Sequence, residues 1–357
     1  MHVIIMAGGS GTRFWPRSRQ KNPKQLLQIL GDNTLIQETI RRIEPLAKPD
    51  QIFIVSTESQ IDAIKEQLPQ IQSQNIIIEP RGKNTAPCIG LAAVHIRRQN
   101  PDALMAVLPA DHHISNEQKF RDVMQVAHKV ALEQDCLVTI GIHPTFPSTG
   151  YGYIQMNSPL AGAKHMSAFH VKTFAEKPDL HTAERFLVSG DFLWNSGMFI
   201  WKVSTILREI ELALPELYDG LVEIEKYLGT NLENEVINKI YCQIRSISID
   251  YGVMEHTKNV VVIKGEFGWS DVGTWDEVYK LLDKDKHGNV LIGEHHIVKS
   301  GSGCLIDSPD KMVAVVGLDD VVVVETDDAV LVCHRNAAQE VKDVVEHLQK
   351  KEKNQYL

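Results

Sequence analysis

Residues 3–13 read Val-Ile-Ile-Met-Ala-Gly-Gly-Ser-Gly-Thr-Arg, an apolar run that passes directly into a glycine-rich loop. Such a run followed by glycine predicts a buried strand that ends in a loop. Because open α/β sheets bind ligands at the carboxyl ends of their strands, and glycine lets backbone N–H groups approach a phosphate, the loop is a candidate phosphate site. A simple tight turn explains the loop equally well. Arg13 excludes a Walker A loop, and no third glycine completes a dinucleotide fingerprint.

A group of basic residues follows the loop in an otherwise acidic chain. Residues 1–31 contain no Asp or Glu, although the formal net charge of the whole chain is −9. The basic residues are Arg13, Arg17, Arg19, Lys21 and Lys24. They are typical of a polyphosphate site, and the alternative is a solvated basic face. Phosphoryl and nucleotidyl transfer need a forked Arg and a mobile Lys near the phosphates, so Arg13 and Lys24 are the catalytic candidates.

The first half of the chain alternates short apolar runs with longer amphipathic segments. Candidate strands are Val3–Ala7, Ile52–Ser56, Ile76–Glu79, Leu104–Pro109 and Leu137–Ile142. Candidate helices are Asn33–Leu46, Ser59–Leu68, Ala86–Arg98 and Glu117–Glu133. This pattern predicts βαβ units, and so an α/β fold with a mixed, mostly parallel sheet covered on both faces.

The rest of the chain predicts an α/β insertion and a separate β-rich module. Possible strands at 151–156, 170–174 and 198–201 precede helical stretches from 204 to 245. Beyond Lys286, β-branched runs at 290–292, 312–316, 321–325 and 330–333 are separated by Gly, Asp and Ser. We therefore expect a catalytic domain at 1–284 and a C-terminal β-rich module at 285–357. That module should close with a helix at 337–350 and a polar tail that frays.

Composition narrows the class of protein. A 357-residue chain with 43% hydrophobic residues can build one large and one smaller domain. The acidic balance argues against nucleic acid as a partner. Five scattered cysteines without a CxxC pair indicate reduced, cytosolic thiols. The sequence shows no leader and no apolar run of ~20 residues, so we expect a cytoplasmic protein without membrane association.

Short motifs recur along most of the chain. They are GGSGTR (8–13) followed by WP, SR and PKQ at 15–16, 18–19 and 23–25, then EPRGKNTAP (79–87), PADH (109–112), TGYGYI (149–154), FAEKP (174–178), NSG (195–197), SIDYGVME (248–255) and WSDVG (269–273). In kind and order they resemble the motifs of sugar-nucleotide pyrophosphorylases, and their wording is similar to that of the mannose-1-phosphate guanylyltransferase family.

The resemblance implies an enzyme that transfers GMP from GTP to α-D-mannose 1-phosphate, forming GDP-mannose and pyrophosphate, with Mg²⁺ held by Asp111 and Asp271. From the residues alone, Asp111 is equally well a helix N-cap. The nucleotide-binding residues it implies are Ala7, Gly8, Gly9, Gly11, Thr12, Glu79, Pro80, Asn84, Thr85 and Ala110. The sugar-phosphate residues it implies are Gly150, Glu176, Lys177 and Asn195. Asp250 and Tyr251 are interpreted as structural or sugar-proximal.

The implied reaction is an in-line attack by the sugar phosphate on the α-phosphorus, without a covalent enzyme intermediate or a general base. Arg13, Lys24 and Lys177 would balance the charge, and Glu79 would accept from guanine N1 and N2. By the same resemblance the C-terminal module is a short left-handed β-helix that can help form a homodimer. Because the chain ends at Leu357, the isomerase domain fused to longer relatives is expected to be absent, leaving one activity.

Three other functions remain open at this level. One is nucleotidyl transfer with another nucleoside triphosphate and glucose 1-phosphate. Another is a regulatory subunit that binds nucleotide sugars without turnover, although such a protein is expected to have lost Arg13, Lys24 or a metal carboxylate. A nicotinamide-dependent dehydrogenase is the third, and the missing third glycine counts against it.

Overall fold

The computed structural model describes residues 1–9, 11–160 and 168–357, so Ser10 of the glycine-rich loop lies outside the described residues. Their strands are β1 (His2–Met6), β2 (Ile52–Thr57), β3 (Ile76–Glu79), β4 (Leu104–Pro109), β5 (His113–Ile114), β6 (Leu137–Ile142), β7 (Tyr153–Pro159), β8 (Ala168–Ala175), β9 (Phe192–Lys202), β10 (Val260–Gly265), β11 (Trp269–Ser270), β12 (Val290–Ile292), β13 (His296–Lys299), β14 (Leu305–Asp307), β15 (Val313–Val316), β16 (Val321–Glu325) and β17 (Val330–His334). Their α-helices are α1 (Leu35–Ile43), α2 (Ile61–Gln67), α3 (Thr85–Gln99), α4 (Glu117–Gln134), α5 (Leu180–Ser189), α6 (Val203–Ala213), α7 (Pro215–Tyr227), α8 (Glu233–Gln243), α9 (Trp275–Leu281) and α10 (Val341–Lys350).

A mixed sheet forms the centre of the molecule, and the predicted α/β class is confirmed. Its order in the described residues is β3-β2-β1-β4-β9-β6-β10-β8-β7. Strands β1 to β4 pair in parallel, as do β6 and β10. The long strand β9 enters antiparallel between β4 and β6. The sequence predicted only residues 198–201 of β9, because the polar stretch at 195–197 interrupts its apolar pattern.

Helices cover both faces of this sheet, and each face has its own apolar core. Side chains of α1, α2 and α4 pack on one face, as Ile40, Ile64 and Phe120 illustrate. Helices α3, α6, α7 and α8 cover the other face. Helix α1 begins where the sequence dictates, since the side chains of Thr34 and Gln37 form a reciprocal capping box. The two layers leave the carboxyl ends of β1, β3 and β4 free to form a site.

The C-terminal module coils through two small sheets. Strands β12, β14 and β16 stack in parallel in one sheet, β13 pairs in parallel with β15 in the other, and β17 adds antiparallel to β16. Consecutive strands thus alternate between two sheets, which is the arrangement of a β-helix and confirms the predicted β-rich module. Strands β13 and β14 were not predicted, because four and three residues are too few to show a periodic pattern.

The module shares a core with the catalytic domain. Phe14, Trp15 and Trp275 pack in one cluster with Leu305 and Val341. The end of the chain takes part, since the Tyr356 carbonyl accepts a hydrogen bond from the Trp15 indole at 2.9 Å. The expectation that the polar tail frays is therefore wrong, because backbone contacts invisible in its sequence dock it. Among the described helices none has the length and apolar character needed to cross a bilayer.

Candidate active site

A cavity of about 410 Å³ opens at the carboxyl ends of the central strands. The predicted site residues that line it are Gly8, Gly9, Glu79, Asn84, Thr85, Gly150, Glu176, Asn195 and Asp271. Residues as distant in sequence as Gly8 and Asp271 thus meet in one place. Among the described lining residues, Glu79, Glu176, Asp250 and Asp271 are carboxylates, and none is Lys or Arg.

One end of the cavity is built by the glycine-rich loop and the residues after β3. Among the described residues, a Cβ atom at Gly9 would meet nothing within 4 Å, whereas one at Gly8 would lie 3.5 Å from the Glu79 carboxylate. The loop backbone therefore borders open space on one side and Glu79 on the other. Asn84 caps α3 by accepting from the Thr85 N–H at 2.9 Å.

Glu79 is a buried carboxyl group whose proton affinity is changed by its surroundings. Burial raises its pKa from 4.5 to about 7, while hydrogen bonds from Tyr241 and Cys88 act to lower it. The Tyr241 hydroxyl donates to Oε1 at 3.1 Å. Neither Tyr241 nor Cys88 was identified from the sequence. Near neutral pH this carboxyl exchanges between an acceptor and a donor form.

The opposite end of the cavity brings together Glu176, Asn195 and Asp250. The Asn195 amide donates to the Asp250 carboxylate at 2.8 Å. Burial, and then repulsion from Glu176, raise the pKa of Asp250 to about 7. A Cβ atom at Gly152 would lie 2.3 Å from Glu176 Oε2, so a side chain there would displace this carboxylate. Asp250 starts a π-helical turn (Asp250–Met254), an irregularity that is frequent at functional sites. From the sequence, Asp250 was interpreted only as structural or sugar-proximal.

Of the two carboxylates predicted to hold metal, Asp271 lines the cavity and Asp111 lies beside it, outside the lining. Strands β5 and β11 pair antiparallel with Ser270 opposite His113, which brings the turn of Asp111 beside that of Asp271. Lys24, 5% exposed, links them: its amine donates to the Asp111 carboxylate at 2.8 Å and to the Asp271 carbonyl at 2.6 Å.

These carboxylates suit a hard cation. The Asp271 carboxylate accepts a hydrogen bond from the Tyr151 hydroxyl at 2.6 Å. Burial acts to raise the pKa of Asp111, but the charges of Lys24 and His112 outweigh burial, so the pKa is lowered. The described residues contain no group of three or more metal-binding side chains. Two carboxylates completed by phosphate oxygens are the usual protein share of a Mg²⁺ site, so the residues fit this ion.

Gly11 and Arg13 occupy the edge of the metal region. Gly11 has φ of 60°, and a Cβ atom there would lie 2.5 Å from the Lys24 Cβ. Glycine at this position therefore admits the Lys24 segment. The Arg13 guanidinium donates to the Gly273 carbonyl at 3.1 Å, two residues beyond Asp271.

Three non-glycine residues at or beside the cavity have a strained backbone. Asn84, Lys177 and Val272 have positive φ values of 68°, 47° and 47°. Such values are costly for residues other than glycine, above all for a β-branched one, and they persist where surrounding structure enforces them. Asn84 lines the cavity, and Lys177 and Val272 each adjoin a residue that does.

The remaining predicted residues are not among those that line the cavity. They are Ala7, Gly11, Thr12, Arg13, Lys24, Pro80, Ala110, Asp111 and Lys177. Most contact the wall indirectly: the Lys177 amine, for example, pairs with Glu176. Thr12 instead faces a small cavity beside α10.

Two arginines of the basic flank have protein partners. Arg17 bonds Asp307 through two nitrogens, and Arg19 pairs with Asp328 at 2.6 Å, both in the C-terminal module. For this pair the solvated-face alternative was wrong, because both guanidinium groups are bound to carboxylates of the protein, while the polyphosphate interpretation stays a prediction. The acidic partners lie some three hundred residues away in sequence, so local pattern could not reveal them.

Comparisons with known proteins identify relatives of both parts. A family model described as nucleotidyl transferase matches residues 2–288, and one described as a MannoseP isomerase/GMP-like beta-helix domain matches 294–348. Mannose-1-phosphate guanylyltransferases from Klebsiella pneumoniae and Escherichia coli are each 40% identical over 356 residues, 99% of this chain and 75% of theirs. The crystal structure of mannose-1-phosphate geranyltransferase from Thermus thermophilus covers 98% of this chain and 99% of its own, with 31% identity and a TM-score of 0.86.

Proposed function

Because this chain belongs to the nucleotidyltransferases, and among them to the mannose-1-phosphate guanylyltransferase family, we propose that it transfers GMP from GTP to α-D-mannose 1-phosphate. The products are GDP-mannose and pyrophosphate. The observation that carries the proposal is the cavity itself. Its lining includes the buried Glu79, the polar group of Glu176, Asn195 and Asp250, and Asp271, whose turn lies beside that of Asp111.

Guanine would lie between the Gly8–Gly9 backbone and Glu79. The ionised Glu79 carboxylate can accept from both N1–H and the N2 amino group of guanine, whereas adenine lacks this pair of donors. The open space at Gly9 leaves room for the nucleotide to approach the backbone. Burial makes the base contact selective, because a buried carboxylate that loses the two guanine donors and keeps only protein donors such as Tyr241 is less well compensated.

Mannose would occupy the end formed by Glu176, Asn195 and Asp250. A carboxylate and an amide in fixed orientations can accept from and donate to sugar hydroxyl groups. Lys177 extends from the same turn as Glu176 and would hold the attacking phosphate. Its backbone is held at φ of 47°, which fixes the point from which the side chain extends.

The acidic lining creates an electrostatic problem for two anionic substrates. Asp111 and Asp271 would hold Mg²⁺, which when bound supplies neutralisation of phosphate charge. Lys24 joins the two Asp turns and presents its charge at the same place, and Arg13 adds a second cation at the edge. The chain's own contribution is therefore to position two anions and to offset their repulsion.

Pyrophosphate release tests this proposal. Purified protein would be incubated with Mg²⁺, each common nucleoside triphosphate, and either mannose 1-phosphate or glucose 1-phosphate. Release that requires GTP and mannose 1-phosphate together is the expected result. Release with a different pair would refute the substrate assignment, and none with any pair would favour a binding protein without turnover.

A further inference from the structure

The segment of residues 12–19 reaches the C-terminal module through a forked ion pair. Arg17 Nε donates to Asp307 Oδ2 at 2.8 Å and Nη2 to Oδ1 at 2.5 Å. The Asp307 side chain is only 4% exposed. A buried, bidentate pair of this kind fixes orientation as well as distance, and loss of one partner leaves the other charge uncompensated.

Further contacts from the same module hold the rest of this segment. The Tyr356 carbonyl accepts from the Trp15 indole at 2.9 Å and from Arg19 at 2.5 Å. Arg19 also pairs with Asp328. Trp15 packs in the core shared by the two parts. The C-terminal module thus holds the segment at Trp15, Arg17 and Arg19.

This segment carries Arg13 to the metal region. Arg13 donates to the Gly273 carbonyl at 3.1 Å, and its second contact is the Gln339 side chain at 3.5 Å. A Cβ atom at Gly273 would lie 3.3 Å from Arg13 Nη1 and 3.1 Å from the Asp271 carboxylate, so the guanidinium and this carboxylate flank one point. A shift of the segment would therefore move Arg13 relative to Asp271.

We infer that Asp307 is a positioning residue for the transfer reaction: through Arg17 it holds the 12–19 segment so that Arg13 meets the departing pyrophosphate. This inference rests on the proposed function and extends it by making the C-terminal module part of the catalytic apparatus. A displacement of about 1 Å at a reacting group can cost up to a hundredfold in rate. The loss should fall on kcat, because Arg13 acts on charge that develops during transfer.

The test compares Asp307→Asn with Asp310→Asn, an exposed carboxylate of the same module. Asp307→Asn should lower kcat between about tenfold and a hundredfold with little change in the KM for mannose 1-phosphate, while Asp310→Asn stays at the wild-type value. Arg17→Lys, which keeps the charge and loses the fork, gives the same test if Asp307→Asn fails to fold.

A double-mutant cycle separates positioning from general stability. If Asp307 acts through Arg13, adding Asp307→Asn to Arg13→Ala should cause no further loss of kcat. Losses that multiply would overturn the inference, as would full activity of Asp307→Asn. Amide hydrogen exchange of residues 12–19 decides the point even if the proposed reaction is absent. Faster exchange in Asp307→Asn but not in Asp310→Asn supports positioning, and unchanged exchange overturns it.

Discussion

The glycine-rich loop and the basic flank that follows it are adjacent in sequence but face opposite surroundings. At Gly9 the backbone borders the cavity, and no atom of the part of the chain that the structure describes lies within 4 Å of a hypothetical Cβ atom. A few residues later, Arg17 and Arg19 are bonded to carboxylates of the C-terminal module. Residues that are close together in sequence can therefore have very different surroundings, depending on which carboxylates the fold brings near them.

The largest effect is expected when the buried lysine of the basic flank is neutralised, with an exposed lysine of the same flank as the control. Lys24→Met removes the buried cation that joins Asp111 to the Asp271 turn, whereas Lys21→Met removes an exposed one. We expect Lys24→Met to lower kcat by at least about a hundredfold, because loss of a preorganised charge at the reacting phosphate is rarely compensated. Steady-state kinetics should find Lys21→Met within about twofold of wild type. Equal losses of kcat in the two variants would show that the buried and the exposed lysine contribute alike, which contradicts this expectation.

Glu79→Gln probes the loop side through pH. The folded protein keeps the Glu79 proton up to about pH 7, while the unfolded chain releases it near 4.5. The unfolding free energy should therefore fall as pH rises from about 4.5 to above 7, and Glu79→Gln should lack this loss, which amounts to about 3 kcal/mol. Urea unfolding at pH 5 and pH 8.5 measures it. A pH-independent difference between the two proteins would refute the raised pKa.

The same variant sharpens the base assignment. Since only the ionised carboxylate accepts two donors, the KM of the wild type for GTP should rise as pH falls below about 7, and the KM of Glu79→Gln should not follow. Preference for GTP over ATP should weaken in the variant. Unchanged discrimination between the nucleotides would remove Glu79 from the base site.

Two glycines of the loop should respond differently to alanine. Gly11→Ala places a methyl group 2.5 Å from the Lys24 Cβ at φ of 60°, so it should lower the unfolding free energy by about 2 kcal/mol or more. Gly9→Ala meets open space and should leave stability within about 1 kcal/mol while raising the KM for GTP. Chemical denaturation of both variants tests this, and equal destabilisation would contradict the contrast.

The smallest effect is expected at the exposed end of the flank. Asp328 is 45% exposed at its side chain, so Asp328→Asn should lower the unfolding free energy by at most about 1 kcal/mol. Because the Arg19 guanidinium keeps the Tyr356 carbonyl, the tail should stay docked. Thermal unfolding at low and high salt measures the change. A several-fold larger loss of unfolding free energy would contradict the small contribution expected of an exposed ion pair.

Much of the fold followed from the sequence where periodicity was clean. Strands β1 to β4 and β6 alternate with amphipathic helices, so the sheet and its two covering layers were predictable. The polar interior of β9 hid most of that strand, and the short rungs β13 and β14 fell below any periodic signal. The docked tail depends on backbone carbonyl groups, which side-chain patterns do not encode.

The site divided in the same way. The loop after β1 was visible as a turn of glycines, and the resemblance supplied Glu79, Glu176 and the Asp pair. Asp111 and Asp271 come together through the two-residue ladder of β5 and β11, which no sequence spacing predicts. The roles of these residues remain predictions. The raised pKa values of Glu79 and Asp250 arise from burial, which emerges only in three dimensions.

A crystal structure of the protein with GDP-mannose and Mg²⁺ would test most directly whether the base and the sugar bind in this cavity. We expect guanine N1 and N2 within hydrogen-bonding distance of the Glu79 carboxylate, and mannose hydroxyl groups on Glu176, Asn195 or Asp250. Guanine density outside the cavity, or a base held without Glu79, would contradict it.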